Sequence, residues 1–465
     1  MTGNDRAVLC LGAVLFLVGC GGGGTTTPAP NTANEWTWMS GSDRLDAGGI
    51  YGTQGTASIS NVPGAREFAV SWSDNGGTLW LFGGYSASRG DYLNDLWEFS
   101  PANKAWTWVS GSNTANAAGV YGTQGTTSIS DVPGARSSAV SWTDKSGNLW
   151  LFGGEGYDSS DAFGFLNDLW EFSPANKEWT WVSGSNTTNA SGAYGTQGTA
   201  SAANVPGARF GAVSWIDSGG DLWLFGGANR STSTGVRAFT DLWEFSPANK
   251  EWTWVSGSNA VNSLGVYGTE GTASASNVPR SRMSAVSWID GSGNLWLFGG
   301  DGYDTTGNLG ELNDLWEFSV GNKAWTWVSG SNSLNALGVY GTKGTASSAN
   351  VPGARDDAVS WIDSGGNLWL YGGNSTLINS GGTFSDLWEF SPASKEWTWV
   401  SGSGTGNAAA VYGTQGTASK SNAPGARWGA VSWIDSSGKP WLFGGDGMGA
   451  SNGPADLNDI WVYQP

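Results

Sequence analysis

Short apolar runs that end in a double glycine recur along the chain at an almost constant interval. The clearest copy is Leu149–Gly154, in which Trp150 and Phe152 alternate with two leucines before the glycines. The second glycine of each copy lies at position 84, 154, 227, 300, 373 or 445, so the copies are 70 to 73 residues apart. Repetition at a fixed period indicates that each unit is one supersecondary module, which buries its apolar faces only against its neighbours.

Each unit is predicted to form four short strands, as the second unit shows. A first strand over Arg136–Trp142 is joined to a second over Asn148–Phe152 by a turn that begins at Asp144. A third strand over Leu166–Phe172 and a fourth over Trp179–Val182 follow. Both faces of the second strand are apolar, which is typical of a strand covered on both sides. Six such units predict an all-β, six-bladed β-propeller of four-stranded antiparallel blades.

The two ends of the chain carry complementary parts of one unit. The last unit stops at Ile460–Pro465 and lacks its fourth, Trp-Thr-Trp strand, while Glu35–Met39 supplies a spare copy of that strand before the first unit. We expect this N-terminal strand to pair with the last blade, which closes the ring and removes exposed sheet edges. The propeller is therefore predicted to span residues 35–465.

These features resemble the Kelch repeat family of propellers. A Kelch blade has a double glycine and then an aromatic residue separated by six residues from a Trp, a spacing that Phe172 and Trp179 keep. The family's arginine at the start of the inner strand is matched by Arg66, Arg136, Arg209, Arg282, Arg355 and Arg427. The units are about 20 residues longer than a typical Kelch repeat. The excess lies between a fourth strand and the next first strand, as in Ser110–Gly134. The resemblance implies a fold rather than a function, because such propellers have many roles.

The amino terminus has the features of a bacterial lipoprotein signal. Residues 7–18 form an apolar segment of 12 residues behind Arg6. This segment is too short to span a bilayer but suits the core of a signal peptide. Leu17–Cys20 matches a lipobox, which predicts a signal peptide over residues 1–19 and a lipid on Cys20. A flexible Gly/Thr/Pro linker over residues 20–34 follows. We expect the propeller to be anchored outside the cytoplasm, at the outer membrane or cell surface, with no other membrane contact.

Composition excludes several classes of chemistry. The net charge is −18 with no basic run, which argues against nucleic-acid binding. The chain has no His, and its two Cys, Cys10 and Cys20, precede the propeller, so His-based catalysis and imidazole or thiolate metal sites are excluded there. The acidic loop Asp301–Asp304 lacks the ligand spacing of a dedicated calcium loop. We expect a monomer with no cofactor and no metal site, and we leave open the alternative that carboxylate and carbonyl oxygens of acidic loops such as Asp301–Asp304 hold Ca²⁺.

The two faces of the disc differ in their loops. Connections from the second to the third strand and from the fourth strand to the next blade share one face, here called the loop face. These connections are long and, after the double glycine, differ in each blade. Loops on a rigid scaffold commonly carry function, and the Kelch resemblance implies partner binding on this face. We expect a protein or glycan partner there.

Residues that break the sixfold pattern are the candidates for a site, because a residue present in every unit is architectural. Thirty of the 31 Trp occupy five positions repeated in all six units, and the remaining one is Trp428. Equivalent and following positions add Glu67, Phe210, Met283, Asp356 and Asp357; the loops after the double glycine add Tyr85, Tyr92, Tyr157, Arg230, Arg237, Asp301, Tyr303 and Asp446. Stacking rings and charged hydrogen-bonding groups suit a sugar or a peptide.

The sequence thus predicts a lipid-anchored binding or interaction module. Two alternatives remain open. One is a carbohydrate-active enzyme similar to a sugar mutarotase or epimerase, in which Glu67, Asp356 and Asp357 act as acid and base beside an Arg. The other is a structural cell-surface protein, which the near-identical repeats favour. Convergence of Trp428, Asp356 and Glu67 on one deep pocket would favour ligand binding or catalysis.

Overall fold

The alternation of aromatic and aliphatic residues decides how the strands of each repeat pair. The structure, a computed structural model, describes residues 34–231, 233, 235–376, 382–450 and 453–464. In these residues every regular element is a β-strand, and none is a helix that could cross a membrane. In the third repeat, Trp215 pairs with Trp223, and Leu224 pairs with Trp243. Each repeat thereby forms one antiparallel blade.

The blades are numbered 1 to 6 along the chain, and their strands are called inner, second, third and outer. The inner strands are Val70–Ser73, Val140–Thr143, Val213–Ile216, Val286–Ile289, Val359–Ile362 and Val431–Ile434. The second strands are Leu79–Ser86, Leu149–Tyr157, Leu222–Phe225, Leu295–Phe298, Leu368–Tyr371 and Pro440–Phe443. The third strands are Asp91–Ser100, Phe163–Ser173, Leu242–Ser246, Leu315–Ser319, Leu387–Ser391 and Ile460–Gln464. The outer strands are Ala105–Ser110, Glu178–Ser183, Glu251–Ser256, Ala324–Ser329, Glu396–Ser401 and Glu35–Ser40. Short strands on the loop face are Arg136–Ser137, Ala228–Ser231, Gly235–Ala238, Arg282–Met283, Asp301–Tyr303, Leu309–Glu311, Asn374–Ser375, Gly382–Thr383, Arg427–Trp428, Asp446–Met448 and Pro454–Asp456.

The core lies between neighbouring blades. Trp150 and Phe152 on one face of blade 2 form a cluster with Leu222, Leu224 and Phe245 on the facing side of blade 3. All five side chains are at most 2% exposed. Burial of one such side chain contributes about 1.5–3 kcal/mol, so a blade is stable only when both of its faces are covered.

Two rings of hydrogen bonds show that the blades close on themselves. In the inner strands Ser214 Oγ donates to the Ser141 carbonyl at 3.0 Å, and this contact recurs from blade to blade. Ser71 Oγ closes the ring by donating to the Ser432 carbonyl of blade 6 at 3.0 Å. At the loop-face end of the channel, the Phe68 N–H of blade 1 likewise donates to the Gly429 carbonyl of blade 6 at 2.7 Å. Blades 1 and 6 are therefore neighbours.

The predicted closing strand is confirmed. Glu35–Ser40 pairs antiparallel with Ile460–Gln464, so that Trp36 lies opposite Tyr463. The Trp36 side chain is 5% exposed and its ring centroid lies 4.9 Å from that of Tyr463. The first residues of the propeller thus supply the outer strand of its last blade.

The long inserts between blades cover the outer strands. In the insert before blade 3, the Gly198 N–H donates to the carbonyl of Trp254 at 2.8 Å, and the Ser201 N–H donates to that of Trp252 at 3.2 Å. The Tyr194 hydroxyl of the same insert donates to Asp241 at 2.6 Å. Equivalent contacts recur in every blade. The inserts thereby occupy backbone groups on an edge that would otherwise be open to other chains.

The repeated arginine is architectural in every blade. Arg209 forms a bidentate pair with Asp241, with nitrogen–oxygen distances of 2.7 and 2.9 Å, and also donates to the Gly226 carbonyl at 2.8 Å. Both side chains are wholly buried. The same pair recurs as Arg66–Asp95, Arg136–Asp168, Arg282–Asp314, Arg355–Asp386 and Arg427–Asp459. A buried charge of this kind needs its partner, since an unpaired one is strongly destabilising.

The strand bounds differ from the prediction at the first strand. The predicted strand Arg136–Trp142 is broken at Ser138, whose φ of 53° is left-handed, into Arg136–Ser137 and Val140–Thr143. This break lets the Ser138 N–H donate to the Phe68 carbonyl of the preceding blade at 2.9 Å. The predicted signal peptide, Cys20 and most of the linker lie outside the described residues.

Candidate functional site

On the loop face each blade ends in a row of three residues that lie side by side. The residue directly after the repeated arginine pairs with the residue directly after the double glycine. That residue pairs in turn with one on the returning strand, which is the segment that leads back into the third strand of the blade. The rows are Glu67, Tyr85 and Tyr92 in blade 1; Ser137, Glu155 and Phe165 in blade 2; Phe210, Ala228 and Ala238 in blade 3; Met283, Asp301 and Glu311 in blade 4; Asp356, Asn374 and Thr383 in blade 5; and Trp428, Asp446 and Asp456 in blade 6. Directly paired residues project to the same side of a sheet, so each row acts as one patch.

The double glycine allows these rows to form. Gly153 and Gly154 have φ values of 67° and 98°, and the strand register shifts where they occur. A Cβ atom on Gly153 would lie 2.9 Å from the Arg209 carbonyl oxygen of blade 3. The Gly154 N–H donates to that same carbonyl at 2.9 Å. Glycine is required because the backbone of the next blade comes too close for a side chain.

Two seams between neighbouring rows are apolar. Phe210 of blade 3 stacks on Phe165 of blade 2, with ring centroids 5.4 Å apart and planes inclined by 24°. In the next seam, Met283 of blade 4 packs against Ala228 and Ala238 of blade 3. The first residue of a row thus faces the row of the preceding blade in these seams. They are held by ordinary apolar contacts.

The seam between blades 4 and 5, here called the 4/5 seam, holds carboxylates instead. Burial and the nearby Glu311 raise the pKa of Asp301 to about 6. Burial, together with Asp357 and Asp301, raises the pKa of Asp356 well above its usual range. Burial also raises the pKa of Asp357 to about 7. Glu311 accepts hydrogen bonds from the Thr376 N–H at 3.0 Å and hydroxyl at 2.8 Å.

A second acidic group, here called the closing seam, lies between blades 6 and 1. It consists of Glu67, Asp446 and Asp456, and one carboxylate oxygen from each lies within 4.8 Å of the other two. Burial, followed by repulsion from Asp446 and Asp456, raises the pKa of Glu67 to about 9, and burial raises that of Asp456 to about 6. The Trp428 indole donates to Asp446 at 3.1 Å, and its ring packs edge-on against Phe68 with centroids 5.2 Å apart.

Three tyrosines and one phenylalanine form a chain of contacting rings across blades 1 and 2. Tyr92 contacts Tyr85 at 4.7 Å between centroids, and it contacts Phe163 of blade 2 at 4.9 Å. Phe163 contacts Tyr157 at 5.3 Å. Phe163 is 46% exposed, so its ring remains accessible to a ligand.

An open cleft of about 560 Å³ lies next to this chain, between blades 2 and 3. Burial raises the pKa of Glu155, while the nearby Arg230 and the hydrogen bond from Tyr92 oppose that rise. The Arg230 guanidinium lies 5.6 Å from the Phe210 ring centroid. Neither Arg230 nor Arg237 takes part in an ion pair within the described residues. This arginine cleft is lined by Glu155, Phe163, Gly164, Phe165, Asn189, Asn229, Arg230, Ser231 and Arg237.

Tyr303 and the loop after it have structural partners. The Tyr303 hydroxyl donates to the Val236 carbonyl at 2.9 Å, which ties the hairpin of blade 4 to that of blade 3. Asp304 accepts from the backbone N–H groups of Thr306 at 2.8 Å and Asn308 at 2.9 Å. Hydrogen bonds to these groups hold the pKa of Asp304 below its usual range.

The structure divides the predicted site residues among several places on one face. Trp428 and Glu67 lie at the closing seam, Asp356 and Asp357 lie at the 4/5 seam, and Met283 and Tyr303 lie between blades 3 and 4. Tyr92, Tyr157, Phe210, Arg230 and Arg237 lie in or beside the arginine cleft. Glu67 and Asp356 thus belong to different seams.

Sequence reasoning missed Glu155, Phe163, Phe165, Glu311 and Asp456. A usable signal existed for the first of them, because Glu155 occupies the position directly after a double glycine, and that position differs in every blade. Phe165, Glu311 and Asp456 lie on the returning strand, 7 to 10 residues later in the six blades, and only the strand pairing shows which residue joins the row.

Comparisons with known proteins support the fold. No known protein family and no curated protein matches the sequence. Among solved structures, that of YjhT is similar to this chain with a TM-score of 0.52 at 14% sequence identity, over 87% of this chain and 96% of that one. At this identity the likeness concerns the propeller fold alone.

Proposed function

We propose that this chain is a lipid-anchored, extracytoplasmic binding module of the Kelch type, and that the arginine cleft on its loop face binds a carboxylate-bearing glycan. The sequence features at Cys20 support the anchor, and the repeat pattern supports the Kelch assignment. The observation that carries the ligand class is that two arginines without an ion pair in the described residues, Arg230 and Arg237, lie beside the exposed ring of Phe163 in this cleft.

The chemistry of the cleft fits an anionic sugar. A guanidinium binds a carboxylate through two parallel hydrogen bonds, and Arg230 and Arg237 have no protein carboxylate as an ion-pair partner in the described residues. The exposed ring of Phe163 offers an apolar surface on which a sugar ring can stack. The cleft holds two arginines and one carboxylate, that of Glu155, so it is locally positive on a chain of net charge −18 and attracts an anion.

A titration of the full chain in detergent with neutral glycans, uronate-bearing glycans and acidic peptides tests this proposal. We expect only the acidic glycans to bind, and we expect Arg230→Ala to weaken binding at least about tenfold, as loss of a charge-assisted contact predicts. Phe163→Ala should also weaken binding, because it removes the surface on which the sugar ring stacks. Calorimetry measures the affinity.

Arg89→Ala is the matched control, because Arg89 is an exposed arginine of blade 1 on the same face. It should leave binding unchanged. Equal binding of neutral and acidic glycans, binding of peptides alone, or binding that Trp428→Ala abolishes and Arg230→Ala spares would refute the assignment to this cleft.

A further inference from the structure

The closing seam joins residues from opposite ends of the chain. Glu67 belongs to the first blade, whereas Asp446 and Asp456 belong to the last, and one oxygen from each carboxylate lies within 4.8 Å of the others. Oxygens bound to one Ca²⁺ lie 2.3–2.6 Å from the ion, so a single ion can contact oxygens that are up to about 5 Å apart. The three side chains are therefore close enough to share a cation.

Among the described residues, no Lys or Arg forms an ion pair with this group. Glu67 is 4% exposed and Asp456 is wholly buried, and Glu67 Oε2 has no hydrogen-bond partner in the described residues. Asp46 lies next to the group, since its N–H donates to the Asp456 carbonyl at 2.8 Å, and its own Oδ1 is buried without a partner. Buried charges are normally paired or bound to a metal.

Two other acidic groups of the protein differ from the closing seam in their geometry or in their hydrogen bonds. In the 4/5 seam Glu311 accepts two hydrogen bonds from Thr376. At the opposite end of blade 3, Asp217, Asp221 and Glu244 also lie close together. There, however, Asp217 accepts from the backbone of its own turn and from the Trp223 indole at 3.1 Å. In the 4/5 seam Asp356 Oδ1 is also buried without a partner, but among the described residues only the closing seam combines such an oxygen with three carboxylates that lie within 4.8 Å of one another.

We propose that the closing seam is a binding site for a hard divalent cation, with Ca²⁺ as the preferred ion, held by Glu67, Asp446 and Asp456. Carboxylate oxygens alone favour Ca²⁺, Mg²⁺ or Mn²⁺ over softer metals. Ca²⁺ fits best because it accepts irregular ligand sets, whereas Mg²⁺ demands near-octahedral geometry.

A cation at this position ties the last blade to the first. The ligands are separated by nearly the whole propeller sequence, so they come together only when the ring is closed. An ion that binds the folded ring and not the unfolded chain raises the free energy of unfolding, by an amount that grows with the ion concentration and with its affinity. Ca²⁺ would thus hold the first blade against the part of the last blade that the end of the chain contributes.

The test uses the full chain in detergent after removal of metal with EDTA. We expect calorimetry with CaCl₂ to show one saturable site per chain, and we expect the thermal midpoint to rise with Ca²⁺ concentration. Glu67→Gln and Asp456→Asn each remove one charged ligand without changing side-chain shape, so each should weaken Ca²⁺ binding at least about tenfold and abolish the rise in the thermal midpoint.

Two controls make the result specific to this seam. Asp356→Asn removes a buried carboxylate from the 4/5 seam, and Asp221→Asn disrupts the group at the opposite end of blade 3, where Asn148 and Asn294 occupy the equivalent positions. Both variants should bind Ca²⁺ as the unaltered chain does. No saturable binding of Ca²⁺, or binding that Asp221→Asn abolishes and Glu67→Gln spares, would overturn the proposal. Should Glu67→Gln not fold, Asp456→Asn alone decides the outcome.

Discussion

A carboxyl group in the 4/5 seam is partly removed from water and placed beside other carboxyl groups. Both effects favour its protonated form, so the pKa is about 6 for Asp301 and about 7 for Asp357, against about 4 in an unfolded chain. A folded-state pKa above the unfolded value means that the folded state binds protons more tightly. The resulting stability is fully present below pH 4 and is lost as the pH rises through 6 to 7.

We therefore predict that the free energy of unfolding, measured by urea denaturation in EDTA, falls between pH 5 and pH 8. Asp301→Asn should reduce this fall by about 1–3 kcal/mol, since a shift of one pKa unit corresponds to about 1.4 kcal/mol. The exposed Glu270→Gln should leave the difference unchanged. A larger fall in Asp301→Asn than in the unaltered chain would contradict the prediction.

The outer strand Glu35–Ser40 is the element that completes the ring. Trp36 packs against Tyr371 of blade 5 and Tyr463 of blade 6, with ring centroids 5.6 and 4.9 Å away. Without this strand the third strand Ile460–Gln464 would present an unpaired edge. Such edges recruit other chains.

We predict that Trp36→Ala lowers the free energy of unfolding by about 3–5 kcal/mol, the usual cost of removing a buried Trp. Trp38, on the same strand, is only partly buried, so Trp38→Ala should cost less. Urea denaturation measures both. Deletion of residues 34–40 should in addition produce concentration-dependent association in light scattering, and an unchanged monomer would argue against the edge-capping role.

At the scale of the whole molecule, the loop face is uneven despite the sixfold frame. Aromatic rings and the two arginines of the cleft occupy the side of blades 1 to 3, whereas buried carboxylates lie in the 4/5 and closing seams. Blades of the same architecture thus present different side chains around the loop face. A surface whose side chains differ from blade to blade can bind a ligand in a single orientation, as specific recognition requires.

The proposed lipid on Cys20 would place the protein in the membrane fraction of the cell. We predict that Cys20→Ser abolishes metabolic labelling by a fatty acid in a bacterial host and moves the protein from the membrane fraction to the soluble fraction. Cys10→Ser is the matched control and should leave both properties unchanged, since Cys10 lies within the apolar segment before the lipobox. Cys20→Ser protein that remains labelled would refute the anchor.

The repeat and the alternation of apolar residues were sufficient to predict the propeller and its closing strand. The candidate site was only partly predictable. The first residue of each row could be found because it follows a repeated arginine, as Trp428 follows Arg427. Its neighbours in the row could not, because the loops between the second and third strands differ in length, which hides the register of the returning strand.

The repeat period and the strand alternation were sufficient to predict a ring of four-stranded blades and the strand that closes it, because both are local properties that recur in every repeat. Which side chains meet across a seam could be read only from the tertiary structure. Glu67 meets Asp446 and Asp456 only because the ring brings the first blade against the last, at a distance along the chain over which no local pattern extends. Phe210 meets Phe165 instead of a carboxylate for the same reason, since the partner of each row is set by the neighbouring blade.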